Sequence, residues 1–225
     1  MRNSHHLKKF VAGLAVSLSL AVATSAAYAQ ETVKVGISVS SSGPAASLGV
    51  PERNTFEMLP DTLGGLPVNY IILDDATDPS LAGRNARKLI SSDGVDVIIG
   101  SSSTPTSLAI AEVAEEQNVV QLGLGVFDHE AYEWVFSVPQ SHSVMYRALF
   151  EEMQRRNVKN IAYIGFSDAL GEGGHRVTSA LAKEFNMQLV ANERYGRQDQ
   201  SVTAQAVRIR QAKPDAVVFG ASGTG

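Results

Sequence analysis

Residues 100–107 read Gly-Ser-Ser-Ser-Thr-Pro-Thr-Ser, hydroxyls crowded between a short apolar run and a helical pattern. Three chemistries suit such a run: a helix cap, a nucleophile, or a cradle for an anion. As a cap, Thr104 takes the N-cap and Pro105 the first helical position, where a missing N–H is harmless. The first-turn amides and the hydroxyls of Ser102 and Ser103 then form a site for an anion such as a carboxylate. Capping alone accounts for such a cluster in isolation. Two further loops of small residues, 40–49 (SSSGPAASLG) and 123–128 (GLGVFD), also follow strands. Ligands of parallel sheets lie beyond the carboxyl ends of the strands, so the three loops together tip the reading toward a bound ligand.

The other motifs carry no chemistry. A nucleophile elbow needs G-x-S-x-G, and Gly220-Ala-Ser222-Gly223-Thr224 has threonine at its last place. The same stretch fails as a dinucleotide fingerprint, and no phosphate-binding loop motif is present. Asp74, Asp75 and Asp78 lie at the end of a strand without the spacing of an oxygen-ligand loop, and Asp78 reads as a helix cap. His129, His142 and His175 are scattered without metal-ligand spacing. The sequence therefore implies no catalytic residues, no metal and no cofactor.

These loops need elements to hold them. Short runs rich in valine and isoleucine, without polar alternation, predict strands at 33–39, 67–73, 95–99, 119–122, 134–138, 161–165, 188–191 and 215–219. Helical patterns occupy 80–92, behind Asp78-Pro79, and then 141–156, 174–185 and 202–212. Strand and helix in alternation imply an α/β fold with parallel sheets. The chain ends at FGASGTG, directly after a strand. The alternation calls for a helix there, so a chain that stops early is the expectation.

Residues 1–29 read as a secretory signal: Arg2, Lys8 and Lys9, an apolar run over 10–22, then Ala27-Tyr28-Ala29 for cleavage. The apolar run is shorter than the ~18 residues of a membrane span. Cleavage removes 29 residues and three cations, taking the chain from 225 to 196 residues and from a formal −4 to −7. That charge disfavours nucleic acid and anionic lipid. Cysteine is absent, which excludes disulfides, thiolate metal sites and lipid attachment after the signal. A soluble, exported product is expected, located in the periplasm of a bacterium.

The order and spacing of VKVGISVSSSGPAASLG, LDDATDPSLAGRNARKLISSDGVDVIIGSSSTPTSLAIAEVA, VFSVPQS, NIAYIGFSDALGEG and KPDAVVFGASGTG resemble one family across residues 31–225. It is the type I periplasmic solute-binding proteins of the branched-chain (leucine/isoleucine/valine) amino-acid class, the receptors of ABC importers. The resemblance implies two Rossmann-like lobes with parallel sheets: an N-terminal ligand-binding lobe over 30–138 and an incomplete second lobe over 139–225. It makes Ser102, Ser103 and Thr104 the carboxylate loop. Residues 123–127, with Gly125, Val126 and Phe127, match the segment that meets the ligand's ammonium group, Phe127 standing in the hydroxyl position. Leu170 stands where the family often has a tyrosine.

Both departures add apolar surface. The segment GPAASLGVPERN, with Ala46 and Ser47, is similar to members that take aromatic carboxylates. The implied ligand is an amino acid or a small, flat carboxylate, and the implied partner is the importer's membrane permease. The chain is expected to act as a monomer, without nucleic acid and without membrane insertion after signal cleavage. A sensor of the same fold acting on a membrane receptor, an exported enzyme and a nonfunctional fragment are the alternatives.

Overall fold

The computed structural model describes residues 32–223; the export signal read over residues 1–29 and the last two residues lie outside the described residues. Val33–Val39 forms β1, the seed of the first sheet. Around it lie β2 (Thr62–Leu63), β3 (Leu66–Asp74), β4 (Val97–Gly100), β5 (Val120–Gly123) and β6 (Val135–Ser137), in the order β2-β3-β1-β4-β5-β6. All neighbours are parallel except the short β2–β3 pair. In register, Ile37 of β1 faces Ile72 of β3 and Ile99 of β4, so the middle of the sheet is branched aliphatic on three strands.

Helices α1 (Ala46–Phe56), α2 (Pro79–Lys88) and α3 (Thr104–Gln117) cover this sheet. On one face Ala82, Ala86, Leu89, Ile98, Ile110 and Val113 form a buried cluster between α2, α3 and the strands. On the other, Val35, Ile37 and Val39 pack with Phe56 of α1. From β1 the chain moves to β3 on one side, and from β4 it moves to β5 on the other. The strand order therefore reverses between β1 and β4, which opens a crevice at their carboxyl ends.

The second sheet has the order β8-β7-β9, from β7 (Asn160–Phe166), β8 (Gln188–Tyr195) and β9 (Ala216–Gly220), all parallel. Its helices are α4 (His142–Arg155), α5 (Ala169–Glu184) and α6 (Thr203–Ala212). Tyr146, Phe150, Ile161, Tyr163 and Leu181 fill one side of the sheet; Ala162, Ile164, Phe166, Tyr195 and Ile209 fill the other. Here too the order reverses, between β7 and β9.

Four expectations are corrected. The loop read over 40–49 is helical from Ala46, and α1 runs on through Pro51. Its sequence hides it: Gly49 and Pro51 are poor helix formers, yet a Cβ on Gly49 would lie 2.1 Å from the Ser40 carbonyl oxygen, so only glycine fits against the loop. Helix α5 starts at Ala169 rather than 174, capped by Asp168, which accepts from the amides of Leu170 and Gly171. Strand β8 extends four residues past the predicted 191, to Tyr195. The cap of α3 is Ser103, not Thr104, with Pro105 in the second helical position. Ser103 and Thr106 secure that turn, the Ser103 amide donating to Thr106 Oγ1 at 3.3 Å and Thr106 Oγ1 donating to the Ser103 carbonyl at 2.9 Å.

Candidate functional site

The crevice between β1 and β4 is lined by hydroxyls, and most of them are already in use. The Asp75 carboxylate is fully buried at the end of β3. It accepts from the hydroxyls of Ser38 at 2.9 Å, Ser40 at 2.7 Å and Ser101 at 2.5 Å, and from the Thr77 amide at 3.1 Å. A carboxylate so placed is tolerable only because its oxygens are met by donors. Ser107 ties the next layer. Its Oγ donates to the Ser101 carbonyl at 2.6 Å and accepts from the amides of Ser101 and Gly125, each at 3.1 Å.

The sequence-read site residues divide on this frame. Ser102 stands at the crevice: its Oγ accepts from the Ser40 amide at 2.9 Å and donates to the Glu52 carboxylate of α1. Ser103 is spent on its own cap. Thr104 directs its hydroxyl to the Val126 carbonyl at 2.8 Å, so the hydroxyl read as a ligand donor is engaged within the protein. The Thr104 amide, first in the helix, has no intrahelical partner. Gly125 is pressed against this turn, since a Cβ there would lie 2.8 Å from the Thr104 nitrogen.

Phe127 is a correction. It is buried with Ala111, Ala114 and Val135 in the core between α3 and β6, and a Cβ on Gly123 would meet its ring at 2.7 Å. Its added apolar surface goes to that core.

The second sheet reaches this site from the opposite side. Val126 packs against the buried cluster that contains Leu170 and Phe166, so these two predicted residues share one apolar contact zone. Ala46 and Ser47 lie in the first turn of α1. There a Cβ on Gly223, in the segment after β9, would sit 3.0 Å from Ser47 Oγ. Asp128 after β5 pairs with Arg176 of α5 at 3.0 Å. Beside them His142 is buried; burial, opposed by Asp128 and reinforced by Arg176, holds it below the ordinary imidazole range. Asp168 also holds Arg197 at 2.6 Å, whose guanidinium lies 4.2 Å over the Phe166 ring.

Sequence reading missed Glu52, Asp75 as the centre of the hydroxyl lattice, Ser107 and Arg197. Glu52 lies within the quoted GPAASLGVPERN, but only the helix through Pro51 brings its side chain to Ser102. Burial lifts its carboxyl above the ordinary range, the Ser102 hydrogen bond opposing and the charge of Asp75 reinforcing the shift. A concavity of about 600 Å3 lies elsewhere, between α6 and the second sheet, lined by Ile164, Ile209, Val217 and Phe219. It is apolar and lies away from the strand-order reversal of the first sheet. Among the described residues no helix is long and apolar enough to cross a membrane.

A family profile described as periplasmic binding protein matches residues 32–225. An extracellular ligand-binding receptor from Rhodopseudomonas palustris HaA2 is 38% identical with a TM-score of 0.84, over 86% of this chain and 55% of its own. A solute-binding protein of an ABC transporter from R. palustris BisB5, solved with 3,4-dihydroxybenzoic acid, is 24% identical with a TM-score of 0.76, over 84% and 54%. An amino acid binding protein from Pseudomonas aeruginosa is 23% identical over 95% of this chain and 59% of its own length. The chain spans little more than half the length of these proteins.

Proposed function

The chain belongs to the periplasmic binding protein family, and from that premise we propose that it is the exported solute receptor of an ABC importer, of the branched-chain amino-acid class. It holds an amino acid or a small aromatic carboxylate between its two lobes, with the importer's permease as its partner, and it acts as a monomer by binding rather than by chemistry. One observation carries this reading. The first turn of α3, with Ser102 beside it, lies at the strand-order reversal of the first sheet, and Val126 there touches the Leu170 cluster of the second. A carboxylate between the two would meet the free end of the helix, its positive pole.

The aromatic choice draws on the R. palustris BisB5 protein, solved with 3,4-dihydroxybenzoic acid.

A thermal-shift screen tests the proposal. The full chain is melted with leucine, isoleucine, valine, phenylalanine, benzoate and 3,4-dihydroxybenzoate. At a hundredfold excess over Kd, binding adds about 2.7 kcal/mol, which moves the Tm of a domain of this size by roughly 5–10 °C. A shift with the aromatic acids supports the whole reading. A shift with the aliphatic amino acids alone keeps the receptor and removes the aromatic ligand. A cooperative melt that none of them moves counts against a receptor for this class of solute.

A further inference from the structure

The hydroxyl hydrogen of Ser102 is committed. It is donated to Glu52, while the Ser102 oxygen takes the Ser40 amide. Glu52 projects from α1 into the crevice where the ligand carboxylate is placed. On its own helix, the neighbouring Arg53 pairs with Glu57 at 3.2 Å. From the end of β3 it faces the charge of Asp75, and Asp74 beside that is engaged with Ser42. From the loop after β4 it meets Ser102. The charges around Glu52 are thus negative, and the cation nearest in sequence is directed elsewhere. Two ionised carboxylates cannot share one hydroxyl at contact distance, and in such a pair one group keeps a proton.

We propose that ligand uptake is coupled to a proton through Glu52: a ligand carboxylate seats at Ser102 with Glu52 as the neutral carboxyl, its O–H donated to the ligand oxygen. The inference rests on the carboxylate reading of the Ser102 loop. The balance is simple. The Glu52 carboxylate, one proton from solvent and the ligand anion become a hydrogen-bonded acid–anion pair, and the only bond formed is the O–H. The raised titration of Glu52 agrees with this arrangement, since burial and Asp75 have already brought the neutral form closer to hand. Glu52 is accordingly a specificity residue as well. It disfavours a carboxylate at high pH and favours any ligand that brings a donor to the same place.

Isothermal calorimetry on the full chain tests this with 3,4-dihydroxybenzoate and, separately, leucine, from about pH 5 to about pH 7.5, in two buffers of different ionisation heat. The expected result is a Kd that rises by up to about tenfold per pH unit above the Glu52 titration, with about one proton taken up per ligand. Glu52→Gln, which keeps the shape and cannot titrate, is expected to bind with a Kd independent of pH and without proton uptake. The wild-type proton count stands even where the variant folds poorly, and the carboxyl carbon shift of Glu52 by NMR reports the neutral form directly. Binding with a flat Kd and no proton uptake overturns the coupling and leaves the receptor intact. A pH dependence retained by Glu52→Gln assigns the proton to another group and overturns it equally. Failure of both probes to bind at any pH overturns the receptor reading and this inference with it.

Discussion

Replacing Asp75 by alanine tests whether the hydroxyl cluster is held together by one carboxylate. Asp75 is fully buried and accepts from Ser38, Ser40, Ser101 and the Thr77 amide. Without it, Ser40 and Ser101, whose oxygens lie 3.5 Å apart, can turn to each other. Ser38 Oγ and the Thr77 amide then have no acceptor. Each such donor costs about 1–3 kcal/mol, and the space left by the carboxylate adds more, so a loss of about 3–6 kcal/mol is expected. At roughly 2–4 °C per kcal/mol for a chain of this size, Tm falls by at least about 6 °C. Asp75→Asn keeps one acceptor oxygen and offers an amide to hydroxyls that can rotate, so its loss should be about half as large. Circular dichroism melts of the two variants and wild type make the measurement. An alanine variant melting within about 2 °C of wild type would refute the reasoning, because the hydroxyls would then not depend on Asp75.

Phe127→Ala opens a cavity among Ala111, Ala114 and Val135 and should cost about 3–5 kcal/mol in urea unfolding; an unchanged midpoint would return the ring to the crevice. Glu52 has a folded titration raised above its unfolded one, so its contribution to stability is complete below the ordinary carboxyl range and lost as pH rises through the folded value. Glu52→Gln should therefore melt higher than wild type near neutrality, the gap closing in acid, and a gap that widens in acid would show the sign to be wrong. His142 is shifted the other way, below the ordinary imidazole range. Its stabilisation is present above about pH 6.5 and lost as pH falls through the folded value. Melts in the Glu52→Gln background should show a loss toward pH ~5 that His142→Phe reduces; equal slopes for both would exclude His142 as its source.

The strands were legible because their cause is local. Runs such as VKVGISV carry the valine and isoleucine of a doubly covered sheet, and β1 has the bounds its sequence predicts. Asp78, too, announces its helix and accepts from the Leu81 amide at 2.8 Å. Helix α1 and the first turn of α5 were hidden because tertiary contact chose their residues. Gly49 is required by the Ser40 backbone, and the glycines of α5 by the residues facing them, so propensity argued against helices that packing demands. At the site, the types and places of Ser102, Ser103 and Thr104 could be read from sequence, but their partners could not. Whether a hydroxyl serves a ligand or a neighbouring carbonyl depends on which loops meet, as Thr104 and Val126 do. Glu52 and Asp75 reach the crevice from other elements, and no spacing in the chain encodes that meeting.

The glycines of α5 also set how this chain can drift. Every amino acid that could replace Gly171 brings a Cβ, and that atom would stand 1.8 Å from the Phe166 carbonyl oxygen; at Gly174 it would stand 2.6 Å from the Tyr146 hydroxyl. In the turn between β2 and β3, Gly64 and Gly65 have left-handed φ values of 58° and 86° and nothing within 4 Å. The two pairs obey different rules of inheritance. A saturation library would find asparagine and aspartate among the survivors at the hairpin, where only the backbone is particular. It would find glycine alone at Gly171. Across lineages the hairpin pair can exchange only for residues that accept a left-handed backbone, while Gly171 anchors α5 where the rest of the sequence diverges.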